Sequence, residues 1–477
     1  MKPVLGGEIL PKSPMRRLEA AVLCHLGLLL ILAAWGFGGN APWSHLAMSV
    51  WGSLSVVLWL AALSSPAIRA SGQLRPLRWL WPLALFNVTV LASLFNPAFA
   101  VVTIDHEELL AKVASTPYLP SSALPRLALP ALWHFDSIYL SCFNLLLFVR
   151  RRRALRLLLL IAAGNALALT IFGSVQKLLG ATGLYFGLVK TRQSTFFASF
   201  IYHNHWGAFT LLMMAVCLGL IGHYARSSGH RDFWHSPAFG GLVAVFFLAA
   251  SIPLSSSRSC TVLALILLGG AFLYWTVDTI RRRRARQLSA TGPLLGASAA
   301  LLLAGAAVFK LAQPVIEQRA AKTVEQIAEM RARGDFGGRQ QLYRDSWHMA
   351  RDKFWFGWGM ASYPTVFYYN YNTQTSPVDR LPVFYYDAHS DWLQALAEVG
   401  LVGTLLIGLL GVVPLLGLHS RALHGPLPCC LLAGCALILL YAWIEFPFGN
   451  SAVVMAWWLC FFAGMRYARL DSQAGDS

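Results

Sequence analysis

The chain has 477 residues, of which 57% are hydrophobic and 12% are charged, with a formal net charge of +17 at pH 7. Soluble domains carry about 25% charged residues, so this composition excludes an ordinary soluble protein. A bilayer core roughly 30 Å thick requires about 20 apolar residues per helix, and about twelve such runs recur along the chain. We therefore predict an all-α polytopic membrane protein with a single integral membrane domain over residues 1–477. The runs are centred near Leu28, Val56, Ala84, Cys142, Ala162, Leu212, Val245, Leu267, Leu302, Leu406, Leu437 and Met455.

Basic residues adjoin alternate ends of these runs, which is the pattern that marks the cytoplasmic side of a membrane protein. More than half of the 38 Lys and Arg residues fit an orientation with both termini in the cytoplasm. Two four-arginine runs, residues 150–153 and 281–284, each adjoin an apolar run. We interpret these runs as topology anchors with some attraction for anionic lipid, and we predict no nucleic-acid binding.

Two segments between the runs are too long to be plain connections. The first, residues 97–133, is acidic near residues 105–108 and then rich in proline, and we expect a short helix and an ordered loop there. The second, residues 313–391, is predicted to be a helical loop inserted before the tenth membrane helix. It carries amphipathic patterns over residues 315–333 and 339–354. Its later tyrosines suit either sugar rings or the lipid headgroup zone.

The cysteines and histidines do not predict a metal centre. All eight cysteines fall within apolar runs, so neither a disulfide framework nor a cysteine metal site is indicated. His203 and His205 have the spacing of half a metal site, but no acidic residue or cysteine accompanies them locally. We expect no metal and no other cofactor. Asn204 and the two histidines are interpreted as hydrogen-bond donors lining a polar pocket, with an interfacial cap as the alternative.

His389 closes the long polar segment and opens an apolar run. An imidazole at such a boundary can take or give a proton near neutral pH. Asp387 and Asp391 flank it and could orient or charge the ring. Glu398 lies two to three helical turns further along, and we expect it to support the site structurally. A purely local, interfacial role for His389 is the simpler alternative.

Several basic residues are predicted on the same outer side. Arg258 follows three serines at the start of an apolar run. Arg258 could extend to the interface, or it could hold an anion such as phosphate, which guanidinium grips in two places. Lys190 and Arg192 add positive charge upstream of the histidine pair, and Arg339 does so from the long loop. Arginines that stabilise a leaving anion, with His389 as general base, would suit transfer chemistry on a lipid phosphate.

Residues 389–403, HSDWLQALAEVGLVG, are similar to the pattern H-[NS]-x-x-L-Q-x-L-A-E-x-G-L-x-G. That pattern is typical of the O-antigen ligase and O-antigen polymerase superfamily. Residues 339–359 resemble the segment that precedes it in that superfamily, although Trp355 and Phe356 depart from its usual proline. The positions that match there are Arg339, Trp347, Ala350, Gly357 and Gly359.

The same resemblance extends upstream, and it covers about residues 195–403. Residues 202–207 are similar to the superfamily pattern N-x-N-H-[FW]-[AG], with Tyr202 in place of its first Asn. Ser257 and Arg258 resemble its Ser-Arg pair at a helix start. The first five helices are matched only in number and topology.

The resemblance implies a twelve-helix, GT-C-like glycosyltransferase of the bacterial inner membrane, with its large loop and active site in the periplasm. Members move a glycan from undecaprenyl diphosphate to an acceptor hydroxyl without a metal. We predict an O-antigen ligase, whose acceptor in lipopolysaccharide maturation is the lipid A-core. An O-antigen or exopolysaccharide polymerase and a protein O-oligosaccharyltransferase are alternatives. A membrane transporter is the alternative from another class, although its polar residues should lie near the bilayer midplane.

The resemblance also implies roles for individual residues. His389 matches the proposed base, whose attack opposite the leaving diphosphate would invert the anomeric carbon. Arg258 matches an arginine that holds the diphosphate, Arg339 matches the loop arginine, and Arg192 is a looser match. The expected partners are the undecaprenyl diphosphate-linked glycan, the lipid A-core and membrane lipids, and we expect a monomer. The remaining residues assigned to donor binding are Lys190, His203, Asn204 and His205.

Overall fold

The computed structural model describes residues 14–104, 107–116, 118–191, 193, 195–227, 233–333, 338–375, 382–417 and 425–475. This part of the chain is helical apart from two short hairpins and a few bridges. Ten of its helices are long and apolar enough to cross a membrane. The prediction of an all-α polytopic membrane protein is therefore confirmed. All twelve predicted centres lie in helices, although those near Ala84 and Leu437 lie in helices of only 13 and 16 residues.

The helices are numbered in chain order. They are α1 (Pro14–Trp35), α2 (Pro42–Ser64), α3 (Pro66–Ala70), α4 (Trp81–Ser93), α5 (Pro125–Phe148), α6 (Arg152–Leu178), α7 (His203–Ser227), α8 (Pro237–Leu254), α9 (Arg258–Ala285), α10 (Thr291–Arg333), α11 (Gly338–Asp352), α12 (Tyr363–Asn370), α13 (Asp391–Leu416), α14 (Pro426–Tyr441) and α15 (Ser451–Gly475). The strands are β1 (Phe99–Ile104), β2 (Glu107–Lys112), β3 (Gly183–Leu184) and β4 (Val189–Lys190).

Proline sets the start of several spanning helices. Pro42, Pro125, Pro237 and Pro426 each occupy the first turn of the helix that they open. The first turn has amide groups without intrahelical partners, so the N–H that proline lacks is not missed there, and its fixed φ suits the helix. The sequence thus sets where α2, α5, α8 and α14 enter the bundle.

The helices differ in how deeply they lie in the bundle. In the spanning window of α15, 89% of the residues are buried, whereas none is buried in the corresponding window of α10. Around α15 the rings of Tyr139, Trp458 and Phe462 pack edge to face, with centroids 4.7 Å and 5.6 Å from Tyr139. Such contacts add to burial as a source of stability. The main core therefore surrounds α15, and α10 lies at its edge.

The first outer segment differs from its prediction. Residues 99–104 and 107–112 form the antiparallel pair β1–β2, with Phe99 opposite Lys112, rather than a short helix. The sequence Val101-Val102-Thr103-Ile104 is rich in β-branched residues, and these favour strands. The prediction of a short helix gave too little weight to this strand preference. Of those, Asp105 and His106 lie outside the described residues.

The long second segment contains the two predicted amphipathic helices. The first is continuous with the ninth apolar run, so that α10 extends over 43 residues and ends at Arg333. The second is α11, which spans 15 residues. Residues 338–375 and 382–390 share a core with the start of α13 and with Ala98, Phe99, Ala123 and Leu124 of the first segment. Trp358, Tyr363 and Phe367 are buried in this core. Tyr369 and Tyr386 are exposed. Some tyrosines of this segment therefore pack in the core, and others lie on the surface.

The long segment is bonded into α13 where that helix breaks. Gly400 has φ +67° and ψ −173° inside α13. The backbone N–H groups of Leu401 and Val402 donate to the carbonyls of Phe354 and Trp355, at 2.8 and 3.0 Å. A side chain at Gly400 would overlap this backbone, and its left-handed conformation also favours glycine. The break thus fixes the loop against the helix that His389 precedes.

Candidate functional site

Three polar segments meet at one end of the bundle. They are the starts of α7, α9 and α13, which carry His203, Arg258 and Asp391 as first residues. The connection between α14 and α15, residues 442–450, lies among them. Its Glu445 and Phe446 contact the starts of α7 and α13 directly. The start of α9 is connected to Glu445 through the side chains of Tyr202 and Asn204. The tertiary structure therefore places these segments beside one another.

Glu445 is the centre of the polar network. Its carboxylate is buried, with 3% of the side chain exposed. Nη2 of Arg339 donates to its Oε1 at 2.5 Å, and the hydroxyl of Tyr202 donates to its Oε2 at 3.4 Å. Nδ1 of His389 lies 3.5 Å from the same Oε2. One carboxylate thus joins the long loop, the start of α7 and the start of α13.

The network continues from Tyr202 to the start of α9. The side-chain amide of Asn204 donates to the Tyr202 hydroxyl at 3.0 Å. Its oxygen accepts a hydrogen bond of 2.7 Å from the hydroxyl of Ser257, the residue before Arg258. Asn204 and Ser257 are both buried. A buried polar chain whose members are all paired fixes the relative positions of the elements that carry it.

His389 has a strained backbone and a partly open side chain. Its φ is +52°, a left-handed value that costs energy for a residue other than glycine. The hydroxyl of Tyr343 donates to its carbonyl at 3.0 Å and helps to hold this conformation. The ring meets the Phe446 ring edge to face at 4.8 Å, and 24% of the side chain is exposed. With Nδ1 towards Glu445, Nε2 is the nitrogen left for a substrate.

The contact between His389 and Glu445 is electrostatic. A separation of 3.5 Å is within ion-pair range but longer than an ordinary hydrogen bond, and Nδ1 has no well-formed hydrogen bond among the described residues. Burial by itself raises the pKa of Glu445. The neighbouring His389 and Arg339 outweigh burial, so the pKa of Glu445 lies below its ordinary value. Glu445 is therefore ionised at neutral pH and can stabilise a proton on His389.

The three acids predicted to support the site have different surroundings. Burial raises the pKa of Asp387 to about 6, although the charge of His389 and a hydrogen bond from Gln394 act against this. Asp391 is the first residue of α13, and its carboxylate accepts the backbone N–H of Phe448 at 2.9 Å. Glu398 accepts the N–H groups of Ala361 and Tyr363, at 3.0 and 3.1 Å. Asp391 and Glu398 thus hold backbone of neighbouring segments.

The histidines of α7 flank the network. Nε2 of His205 donates to the carbonyl of Phe446 at 3.1 Å, and its ring meets the Phe446 ring edge to face. Nδ1 of the buried His205 has no partner within the described residues. His203 shares a hydrogen bond of 2.9 Å with the hydroxyl of Thr195. Neither contact resembles metal ligation, and the described residues contain no group of three or more His, Cys, Asp or Glu suited to hold a metal ion.

The four predicted basic residues differ in whether they lie near the polar network. Arg258 is exposed at the first position of α9, next to Ser257. Arg339 joins the network through Glu445 while 53% of its side chain stays exposed. Lys190 is exposed in the hairpin β3–β4, and no described contact links it to the network. Arg192 lies outside the described residues. The structure thus brings Arg258, Arg339 and His389 to the same end of the bundle.

This arrangement can bind an anion and move a proton. The exposed guanidinium groups of Arg258 and Arg339 can offer paired N–H donors to phosphate oxygens. The open nitrogen of His389 can accept a proton from a hydroxyl group, and the buried carboxylate behind it can balance the resulting charge. The site lies at the ends of spanning helices, where a lipid headgroup would lie.

Comparison with known proteins finds one family match. The model of the O-antigen ligase family matches residues 243–408. The match covers about a third of the chain and includes Arg258, Arg339 and His389. The predicted resemblance to the O-antigen ligase superfamily is confirmed over this segment. The residues of the network at 202–205 and at 445 lie outside it. No curated protein matches the chain.

Glu445 was missed by the sequence analysis, although the sequence contains a signal for it. It is an acidic residue in a short connection between two apolar runs, and a charge at such a depth is a functional candidate by default. Tyr202 was noted only as a departure from the superfamily pattern. In the structure its hydroxyl links Asn204 to Glu445. The departure therefore supplies a contact of the network.

Proposed function

We propose that this multi-pass membrane protein is an O-antigen ligase, which moves a glycan from undecaprenyl diphosphate to a hydroxyl of the lipid A-core. The observation that carries the proposal is the juxtaposition of His389 and Glu445 with Arg258 and Arg339 at one end of the spanning helices. The family match supports a glycan-transferring enzyme with a lipid-linked substrate. The choice of ligase over polymerase rests on the long loop before α13 and on a single strong histidine.

The proposed reaction is a direct displacement. Nε2 of His389 takes the proton of the acceptor hydroxyl, and the acceptor oxygen forms a bond to the anomeric carbon of the glycan. The bond between that carbon and the diphosphate oxygen breaks on the opposite face, so the anomeric configuration inverts. Undecaprenyl diphosphate leaves with the bonding electrons, and Arg258, Arg339 and Arg192 stabilise its charge. Ionised Glu445 stabilises the imidazolium ion that forms.

The other predicted residues have supporting roles in this proposal. Lys190, His203, Asn204 and His205 would shape the donor side of the site. Asp387 lies beside His389 and would tune its charge. Asp391 and Glu398 would maintain its position through the backbone groups that they bind.

The proposed orientation places the site in the periplasm of a bacterial inner membrane. Both termini would then be cytoplasmic, and residues 313–391 would form a periplasmic insertion in a single membrane domain. The arginine-rich end of the bundle supports this orientation, because Lys and Arg collect on the cytoplasmic side. The protein would act as a monomer on membrane-bound substrates.

A transfer assay tests the proposal. Purified protein receives undecaprenyl diphosphate-linked glycan together with lipid A-core, with and without EDTA, and the products are resolved by gel and mass. We expect glycan on the core in both conditions, and at least about a hundredfold less with His389→Ala. Longer lipid-linked chains with an untouched core would instead show a polymerase. No transfer to core, glycan or a protein acceptor would contradict the proposal and favour a transporter.

A further inference from the structure

A second polar cluster lies at the opposite end of the same helices. Arg150, Arg151, Arg152, Arg153, Arg156 and His223 line a cavity of about 500 Å³. These residues belong to the α5–α6 connection, the start of α6 and the end of α7. The end of α15 closes the cavity with Leu470. We name this group, residues 150–153, 156, 223 and 470, the arginine pocket.

The depth of the arginine pocket follows from α7, which also carries the site residues. His203 and His223 lie 20 positions apart on this helix, which corresponds to about 30 Å at 1.5 Å per residue. That distance equals the thickness of the hydrocarbon core of a bilayer, roughly 30 Å. Since His203 lies at one membrane boundary, the arginine pocket lies at the headgroup layer of the other leaflet.

Two acids neutralise part of the positive charge. Glu19 is buried and accepts from the backbone N–H groups of Arg150 and Arg151, both at 3.0 Å, and from Nε of Arg151 at 2.6 Å. Asp471 forms an ion pair with Arg152. Both carboxylates therefore already have an arginine partner. Three of the five guanidinium groups have no carboxylate partner among the described residues.

Two of these three arginines have donors without a partner among the described residues. Arg156 donates to the hydroxyl of Tyr467 at 3.1 Å and lies 5.9 Å from the centre of the Tyr224 ring, so it is held in place. Its Nε is buried and has no partner in the described part of the chain. Arg153 is exposed and likewise forms no hydrogen bond or ion pair with the described residues. An oriented cluster of this kind has donors to spare for one anion.

The other four-arginine run has different surroundings. Residues 281–284 lie at the end of α9, a helix with little of its spanning window buried. There Arg282 pairs with Asp278 at 3.0 Å, and Arg283 donates to the carbonyl of Ser289 at 2.6 Å. A topology anchor requires only positive charge beside a helix. Arg284 is the one arginine that lines the cavity at this end of α9, and its neighbours there are apolar or hydroxyl residues. All four arginines of the first run line one cavity together with residues of α7 and α15, which goes beyond that requirement.

We propose that the arginine pocket binds a phosphate group, that of an anionic membrane lipid or of a soluble phosphate compound on the same side. Arginine forks match phosphate oxygens in geometry and charge. Basic pockets between spanning helices on the cytoplasmic side suit anionic headgroups. The proposal is independent of the transfer reaction, because it concerns the opposite end of the bundle.

Lipid titration of the delipidated full-length protein in detergent tests the proposal. The probes are dihexanoyl phosphatidylglycerol, dihexanoyl phosphatidylcholine and inorganic phosphate, and binding is followed by thermal unfolding. We expect phosphatidylglycerol to stabilise the protein and phosphatidylcholine to do so much less. A lipid source predicts that inorganic phosphate is weak, whereas a soluble source predicts that it stabilises equally well.

Substitutions that keep the charge locate the binding. Arg153→Lys and Arg156→Lys preserve the topology signal and remove the planar fork, so each should weaken binding by about tenfold. Arg153→Lys disturbs packing least, which keeps the test valid if Arg156→Lys folds poorly. Arg281→Lys is the matched control and should bind like the wild type. Unchanged binding in both pocket variants, equal weakening in the control, or equal stabilisation by phosphatidylcholine would overturn the proposal.

Discussion

Two histidine clusters adjoin the same connection between α14 and α15, and they differ in their partners. His389 faces the carboxylate of Glu445 at 3.5 Å and is partly open. His134 shares hydrogen bonds of 2.9 Å with the hydroxyls of both Ser49 and Ser451. Its ring also stacks on His45 at 4.5 Å. A carboxylate stabilises a protonated imidazole, whereas two hydroxyls satisfy a neutral one.

The comparison shows that histidine identity does not define the site. Both nitrogens of His134 are already occupied by side chains of α2 and α15, so His134 connects helices. His389 has a strained backbone and a nitrogen left for substrate. The expected consequence is that the first cluster contributes chemistry and the second contributes stability. Each of the following substitutions tests that division between the two clusters.

The largest effect is expected from His389→Ala. Removal of a general base costs about 10²- to 10⁴-fold in rate, so glycan transfer should fall by that factor while donor binding and thermal stability remain. Initial rates and donor affinity measure the two quantities. His348→Ala, which replaces an exposed histidine of α11, is the control and should be fully active. Loss of donor binding together with turnover in a folded variant would refute the base assignment.

Glu445→Gln should have the next largest effect. The substitution keeps the shape of the side chain and removes the charge that faces His389 and Arg339. Turnover should fall by roughly tenfold or more, with a smaller change in donor affinity. Because the lowered pKa of Glu445 stabilises the folded state at pH values above its unfolded pKa of about 4.3, the variant should also lose the acid sensitivity that this group confers. Wild-type turnover in Glu445→Gln would show that the contact has no role in transfer.

His134→Ala should lower stability without a comparable loss of chemistry. The change leaves the hydroxyl of Ser451 without its partner, whereas Ser49 still donates to the carbonyl of His45 at 2.8 Å. A buried unpaired polar group costs about 1–3 kcal/mol. Thermal unfolding should therefore shift downward, while turnover per folded molecule stays near that of the wild type. A turnover loss as large as that of His389→Ala would end the division between the clusters.

The smallest effect is expected from Asp387→Asn. A carboxyl group with a raised pKa binds its proton more tightly in the folded state, so wild-type stability should decrease as pH rises from about 4 to about 6. The variant cannot titrate at this position and should lack that component of the decrease. Thermal unfolding at several pH values measures the difference. Parallel pH profiles for the two proteins would contradict the assigned environment of Asp387.

The membrane class and the positions of the apolar helices follow from local sequence patterns alone. Hydrophobic length is a local property, so all twelve predicted centres fall within helices. The helix-opening prolines and the amphipathic pattern of α11 are local in the same sense. The hairpin β1–β2 was predicted wrongly because strand preference competed there with an acidic, proline-rich composition.

Which polar residues meet depends on how the helices pack. Glu445 lies 56 positions beyond His389, and Tyr202 lies 187 positions before it, yet all three share one network. No spacing rule spans such separations, because helix packing and the break at Gly400 set these distances. The same holds for the two four-arginine runs, which are identical in sequence and differ in structure. The charge beside a helix can be predicted from the sequence. Whether that charge lines a cavity depends on which other helices pack around it.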